Sequence, residues 1–249
     1  KRANRQRFGI SQTEIFPMPI PKLPLQLTRL LYPYHRAWWR KTLRRRSILT
    51  DWNKRNKAIF VHIPKTAGTS ILAALGAEEV FDTHAPAESW RDVYPSFFNG
   101  AHKFAFVRNP WDRFASVFHF MKQGTDWPMQ QEWARRHIGD LDFATFTHRL
   151  KNPLFRANVM AERFFWPQHF WLGGAYRPLL VDELYRFEDI DAAVALLCKR
   201  FGMIAPERAP HLRKVEKPDF RSLYDAEMVA IVGKLYRADI ELLDYRFAP

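Results

Sequence analysis

The chain has 249 residues, of which 47% are hydrophobic and 15% aromatic, a size and composition that suit one α/β domain with an extension and argue against a disordered protein. Its formal net charge of +13 is concentrated at one end, because residues 1–57 carry 15 of the 39 Lys and Arg but only Glu14 and Asp51 of the 26 acidic residues. No window reaches the roughly 18 consecutive apolar residues typical of a membrane-spanning helix.

Residues 1–56 are predicted to form a basic, Pro/Arg-rich N-terminal arm. Four prolines between residues 17 and 24 prevent a helix before about Leu25. Residues 25–48 mix Leu, Tyr and Trp with Arg and favour a short amphipathic helix, which we expect to pack on its own domain in preference to lipid. The arm suits an anionic partner such as a membrane surface or an acidic polymer, while a solvated tail explains it equally well. We expect no nucleic acid, since the arm is the only feature that favours it.

The remaining residues, 57–249, are predicted to alternate strands with helices. Short apolar runs followed by helical patterns are typical of a parallel sheet covered by helices. The predicted strands are Lys57–His62, Lys103–Arg108 and Leu179–Phe187, and the predicted helices are Ile71–Leu75 closed by Gly76, Trp111 to about Lys122, Asp189–Phe201 and Asp225–Leu243.

The segment between the first strand and the first helix is a candidate phosphate-binding loop. Backbone N–H groups at such a junction favour an anion. Gly68 allows close backbone approach, Thr69 and Ser70 add hydroxyl donors, and Lys65 adds a cation. In a nucleotide-kinase loop, lysine follows the last glycine. Here it precedes the glycine by three residues, which disfavours an ATP- or GTP-using kinase.

Two separated motifs, HIPKTAGTS at residues 62–70 and FVRNPWDRFASVF at 106–118, resemble the two donor signatures of sulfotransferases that use 3′-phosphoadenosine 5′-phosphosulfate (PAPS), in the branch with many carbohydrate sulfotransferases. The resemblance covers residues 57–248, includes Tyr185–Asp189, Tyr236–Asp239 and Asp244–Phe247, and implies a P-loop-like three-layer α/β fold. It also implies PAPS as donor, 3′-phosphoadenosine 5′-phosphate as product and no metal. The donor-binding residues implied by the resemblance are Lys65, Thr66, Ala67, Gly68, Thr69, Ser70, Arg108 and Ser116.

The residue types suit the roles that the resemblance implies. A 3′-phosphate needs a charged fork from arginine and a short donor, and Arg108 and Ser116 are placed to face one groove. Each alone is also explained by strand capping or helix packing. Lys65 is the expected catalytic cation, since negative charge grows on the leaving oxygen as the S–O bond breaks. Family members often carry Pro-His-x-Asn-x-Ser in a loop over the nucleotide. This chain has Arg213 and Val215 at the Asn and Ser places, which puts contacts from that loop in doubt.

The acceptor hydroxyl must lose a proton, and His84 is the predicted base, because histidine titrates near neutral pH. No zinc-like spacing is present, since the histidines are dispersed. The alternative bases are His102, His119, Glu88 and Asp82.

The predicted acceptor is a carbohydrate hydroxyl, on a polysaccharide, oligosaccharide or glycolipid. Aromatic side chains are frequent between Phe118 and Trp171 and either stack on sugars or fill the core. A nucleotide-binding protein without turnover, tethered by its arm, is the alternative function. Five arginines of this region either recognise an anionic acceptor or cover a solvated face: Arg135, Arg136, Arg149, Arg156 and Arg163.

The single cysteine, Cys198, lies in an apolar helical run and is predicted to be a core residue. One cysteine and no signal sequence favour the cytoplasm, including the inner membrane face. The alternative is a Golgi-lumen domain whose anchor lay upstream of Lys1. The sequence leaves the oligomeric state open.

Overall fold

In a computed structural model, which describes residues 47–77, 84–125, 127–173, 178–207 and 219–248, the centre of the molecule is a parallel sheet. Its strands are β1 (Ala58–Val61), β2 (His102–Val107) and β3 (Glu183–Arg186), in the spatial order β1-β2-β3. The register sets Phe60 opposite Phe104 and Val107 opposite Arg186. All three strands therefore end at the same edge of the sheet.

Helices cover both faces of this sheet, which confirms the predicted α/β fold with a central parallel sheet flanked by helices. A parallel strand buried on both faces is apolar at every position, and β1 is buried throughout. The described helices are α1 (Asp51–Asn56), α2 (Gly68–Ala74), α3 (Ala87–Val93), α4 (Pro95–Gly100), α5 (Pro110–Gln123), α6 (Pro128–His137), α7 (Phe143–Arg149), α8 (Pro153–Ala161), α9 (Gln168–Leu172), α10 (Ile190–Arg200), α11 (Ala226–Leu235) and α12 (Arg237–Leu243).

Alternate residues of β1 and β2 supply two different cores. On one face, Ile59 and Val107 pack with tryptophans of α3 and α9. On the other face, Phe60 stacks on Phe104 with ring centroids 5.2 Å apart, against α2 and α10. Cys198 is fully buried in this second core, which confirms its predicted core position. A third core joins α5 to the helices from α6 to α8 and to α11.

Part of the predicted arm is ordered against the sheet domain. Within residues 47–56, α1 has a capping box from Thr50 and Asn53. Its Trp52 is buried, and the indole Nε1 donates to the Leu75 carbonyl at 2.8 Å. The division between arm and domain at residue 57 remains a prediction, and residues 1–46 lie outside the described residues.

Two predicted elements were wrong in extent. The third strand begins at Glu183 and not at Leu179, because Leu180 donates its N–H to the Leu172 carbonyl at 2.8 Å and so leaves the path along β2. The last helix is two helices, α11 and α12, because the backbone of Tyr236 departs from helical geometry (φ −109°, ψ 24°) while its ring is buried. The break turns α12 toward α9.

The predicted start of α2 was also late, since the helix begins at Gly68, while Gly76 closes it in a left-handed conformation (φ 55°) as predicted. Among the described residues, no helix is long and apolar enough to cross a membrane.

Candidate active site

The loop between β1 and α2 holds two non-glycine residues in the left-handed region, Lys65 (φ 69°) and Ala67 (φ 65°). Ala67 is followed at once by helical Gly68. Adjacent residues of opposite handedness turn successive N–H groups to the same side and create an anion-binding concavity. The Thr66 hydroxyl donates to the Ile63 carbonyl at 2.9 Å and is fully buried, so the Thr66 side chain holds the loop closed from inside.

Gly68 is required by the side chain of His62. A Cβ at residue 68 would lie 1.7 Å from Nε2 of the His62 imidazole, whose ring is buried against the loop. Burial, the nearby His84 and the Lys65 ammonium lower the pKa of His62 well below its ordinary value. His62 is therefore a neutral packing residue at neutral pH.

His84, the predicted base, lies beside this loop. Its Nδ1 is 2.9 Å from the His62 carbonyl oxygen. A carbonyl oxygen only accepts hydrogen bonds, so Nδ1 carries the proton and Nε2 is the basic nitrogen of the ring. The centroid of the His84 imidazole lies 4.0 Å from that of the His62 ring and 5.5 Å from that of the Phe164 ring.

Lys65 and His84 each lie against one ring of a stacked aromatic pair, Phe120 and Phe164. The Lys65 ammonium lies 4.2 Å from the centroid of Phe120. Phe120 stacks on Phe164 with a centroid distance of 5.6 Å and an interplanar angle of 9°, and Phe164 touches His84 at its other side. The two predicted catalytic residues, separate in sequence, therefore border one aromatic wall.

Arg108 follows β2 and forms a bidentate ion pair with Asp112, with Nε and Nη2 at 2.6 and 2.7 Å from the carboxylate oxygens. Its Nη1 donates to the Lys65 carbonyl at 3.1 Å, and its guanidinium lies 4.2 Å from the Phe187 ring centroid. Three of the five N–H donors of arginine are thus engaged by described residues. Ser116 lies one helical turn beyond Asp112 on the same face of α5, so Arg108 and the predicted serine share one side of that helix.

The backbone of Arg108 is held by a residue that sequence reasoning missed. The Gln168 amide accepts the Arg108 N–H at 2.9 Å and donates to its carbonyl at 2.8 Å. Gln168 is itself anchored, because its N–H donates to the buried Asp239 carboxylate at 2.6 Å. Nothing in the local sequence links these positions. Asp112, by contrast, was visible at the i+4 spacing of a helical ion pair.

Two of the segments that resemble the family, Tyr185–Asp189 and Asp244–Phe247, meet at the junction of β2 and α5. Glu188 accepts the Asn109 N–H at 2.8 Å and the Tyr245 hydroxyl at 2.9 Å. Asn109 donates through its side chain to the Arg246 carbonyl at 2.8 Å. Burial, followed by the Glu188 charge, raises the pKa of Tyr245, so its hydroxyl stays protonated and donates. These bonds fix the point where Arg108 leaves the sheet.

The described alternatives to His84 lie in other surroundings. His102 begins β2 at the opposite edge of the sheet, near Asp182 and Glu183. His119 stacks on Phe143. Glu88 is buried at the start of α3, where its carboxylate lies 3.6 Å from the Arg91 guanidinium. Asp82 and the loop with Arg213 and Val215 lie outside the described residues.

Of the five arginines considered for acceptor binding, Arg163 adjoins the aromatic wall, with its guanidinium 5.7 Å from the Phe164 centroid. Arg135 and Arg136 pair with Glu132 on the exposed side of α6. The remaining two have local partners: Arg149 over the Phe155 ring and Arg156 with the Leu150 carbonyl.

Within the described ranges, no group of three or more His, Cys, Asp or Glu side chains is arranged to hold a metal ion. The metal-free mechanism stays a prediction.

Comparison with known proteins gives one family. The model of the sulfotransferase family matches residues 50–246, which include α1, the loop after β1, the start of α5 and most of the C-terminal helices. Neither a curated protein nor a solved structure gave a significant match to the chain.

Proposed function

Because the chain belongs to the sulfotransferase family and is therefore a sulfotransferase, an enzyme class that generally uses PAPS, we propose that it transfers the sulfuryl group of PAPS to a carbohydrate hydroxyl. The observation that carries this proposal is the hydrogen bond from the Arg108 guanidinium to the Lys65 carbonyl, 3.1 Å long. It joins the two predicted donor motifs, although they are 43 residues apart in the sequence. A nucleotide with anionic groups on both its 3′ and 5′ positions fits two adjoining cationic motifs.

We assign the 5′-phosphosulfate to the loop of residues 65–70 and the 3′-phosphate to Arg108 and Ser116. Arg108 keeps donors on both Nη atoms beyond those used by Asp112 and Lys65. Asp112 fixes the plane of the guanidinium, so little side-chain entropy is lost when a phosphate binds.

In the proposed reaction, Nε2 of His84 accepts the proton of the acceptor hydroxyl while the oxygen of that hydroxyl attacks the sulfur of PAPS. The bond between sulfur and the bridging phosphate oxygen breaks, and the electron pair stays on that oxygen. The Lys65 ammonium and the backbone N–H groups of the loop stabilise the negative charge that develops there. The products are the sulfate ester, 3′-phosphoadenosine 5′-phosphate and a protonated His84, which returns its proton to solvent.

The aromatic wall supports a carbohydrate as the acceptor. Phe120 is partly exposed and lies between Lys65 and Phe164. Aromatic rings offer apolar faces to the C–H groups of sugars, and Arg163 beside Phe164 adds a positive charge at its rim.

Calorimetric titration with 3′-phosphoadenosine 5′-phosphate beside ADP tests the donor assignment. We expect preference for the 3′-phosphorylated nucleotide in the wild type and its loss in Arg108→Ala. The matched control is Arg135→Ala, which removes an exposed arginine paired with Glu132 and should keep the preference. Equal affinity for both nucleotides in the wild type would refute the assignment of the donor site.

Transfer of radiolabelled sulfuryl groups from PAPS tests the acceptor class. Polysaccharides, glycolipids and oligosaccharides are compared with small aliphatic alcohols and phenols. We expect label on the carbohydrates, and label confined to the small alcohols or phenols would refute the carbohydrate assignment while leaving the donor assignment intact.

A further inference from the structure

A second arginine on α5, Arg113, has no role in the scheme above. It is 1% exposed, and its guanidinium donates to three backbone carbonyls. Nη1 bonds to Pro64 at 3.3 Å and to Phe164 at 3.0 Å, and Nη2 bonds to Trp166. Pro64 directly precedes Lys65 in the loop, whereas Phe164 belongs to the aromatic wall. Arg113 therefore links the two sides of the active site from inside the protein.

The charge of Arg113 is unusual for so buried a group. In the described part of the chain it forms hydrogen bonds only to carbonyls, and its Nε lacks a hydrogen-bond partner. An interior charge without a directly paired carboxylate is costly. Burial lowers the pKa of Arg113, but an arginine stays protonated at neutral pH. The buried Asp239 carboxylate offsets part of this cost through Coulombic attraction, and an anion that binds nearby would offset more of it.

We propose that Arg113 is a positioning residue of the donor site, whose buried positive charge lies beneath the loop of residues 63–67, fixes the Pro64 carbonyl and favours a negative charge bound on that loop. The proposal rests on the proposed function, because it assigns the favoured charge to the 5′-phosphosulfate end of PAPS. Arg108 acts on the 3′-phosphate by direct contact. Arg113 acts on the 5′ end through the loop, in a low-dielectric interior where salt screens little.

The test separates charge from packing. Arg113→Met removes the charge and keeps an extended side chain, whereas Arg113→Lys keeps the charge and loses the planar fork. Affinities are measured for 3′-phosphoadenosine 5′-phosphate and for 3′-AMP, which lacks the 5′-phosphate. We expect Arg113→Met to weaken binding of the first ligand by about tenfold or more and of 3′-AMP by less than about twofold. Arg113→Lys should fall between the wild type and Arg113→Met.

The matched control is Tyr236→Phe, which removes the buried 2.6 Å hydrogen bond from the Tyr236 hydroxyl to the Phe165 carbonyl. In sequence, Phe165 lies between Phe164 and Trp166, whose carbonyls accept from Arg113. Tyr236→Phe loosens the same segment without changing the charge, so its ratio of affinities for the two ligands should stay at the wild-type value. A shift in that ratio as large as that of Arg113→Met would overturn the assignment to charge.

Other outcomes are also decisive. Equal losses for both ligands in Arg113→Met, or no loss, overturn the proposal. If Arg113→Met does not fold, Arg113→Gln replaces it as the charge-free variant, and an unchanged ratio of the two affinities in Arg113→Gln overturns the proposal. A wild type without preference for 3′-phosphoadenosine 5′-phosphate over ADP refutes the donor site itself, whereas a normal preference with an unaltered ratio in the variants refutes only the role of Arg113.

Discussion

Replacement of Gly68 by alanine tests the packing that shapes the loop, independently of any ligand. The added methyl group would lie 1.7 Å from Nε2 and 2.0 Å from Cδ2 of His62, where ordinary contact begins at 3.4 Å. The backbone of Gly68 is helical and suits alanine, so the cost arises from the His62 ring alone.

That ring has little room to move. It stacks on Phe60 with centroids 5.2 Å apart and lies 4.0 Å from the His84 ring. Overpacking of a filled core costs about 1–3 kcal/mol, and confinement on two sides points to about 3 kcal/mol for Gly68→Ala. For a domain of this size, that corresponds to a fall in melting temperature of roughly 6–12 °C.

Urea unfolding isolates the contact between the added methyl group and the His62 ring. It compares four proteins: wild type, Gly68→Ala, His62→Ala and the double variant. Without the His62 ring, the added methyl group should be neutral or stabilise the protein by up to about 1 kcal/mol. Gly100→Ala is the matched control, since a Cβ at residue 100 has no atom within 4 Å, and it should change stability by less than about 0.5 kcal/mol. A Gly68→Ala loss that is the same, within about 0.5 kcal/mol, in both backgrounds would refute the reasoning.

Three further predictions concern the base, a buried histidine and a buried acid. His84→Ala should lower kcat by about 10²–10⁴-fold with donor affinity within twofold in calorimetry, and unchanged turnover would exclude His84 as the base. Burial lowers the pKa of His62, so just below pH 6.5 this histidine binds a proton in the unfolded protein but not in the folded protein. Stability therefore decreases as the pH is lowered. In urea unfolding, the wild type should lose about 1 kcal/mol more than His62→Gln between pH 6.5 and 5.5. Equal losses in the two proteins would contradict this. Asp239→Asn should destabilise the protein by about 3 kcal/mol in the same assay, whereas Asn at exposed Asp140 should have little effect, and similar values for both would contradict the anchoring role of Asp239.

The sequence predicted the fold well where the signal is local. All four residues of β1 and the last four residues of β2 are buried and apolar, as expected where helices cover both faces of a parallel sheet. Gly76 also gave the correct end of α2. The loop with Lys65 could be predicted as a phosphate-binding loop because a lysine, a glycine and two hydroxyl residues follow directly after a strand.

Prediction failed where distant contacts decide the structure. Periodicity from Asp225 to Leu243 favours one helix. The structure breaks it at Tyr236, whose hydroxyl donates to the Phe165 carbonyl 71 residues away. The support of Arg108 by Gln168 spans 60 residues. Such partners carry no local pattern, so they emerge only once the chain is folded.

These distant contacts explain why the C-terminal helices matter to a site in which they have no described side chain. The Tyr236 hydroxyl and the Asp239 carboxylate hold the segment of residues 165–169 by its carbonyl and N–H groups. That segment in turn holds the backbone of Arg108 through Gln168, while Arg113 grips it from α5. Tyr236 and Asp239, which lie in a segment that resembles the family, thus support the backbone of the arginine predicted to bind the 3′-phosphate.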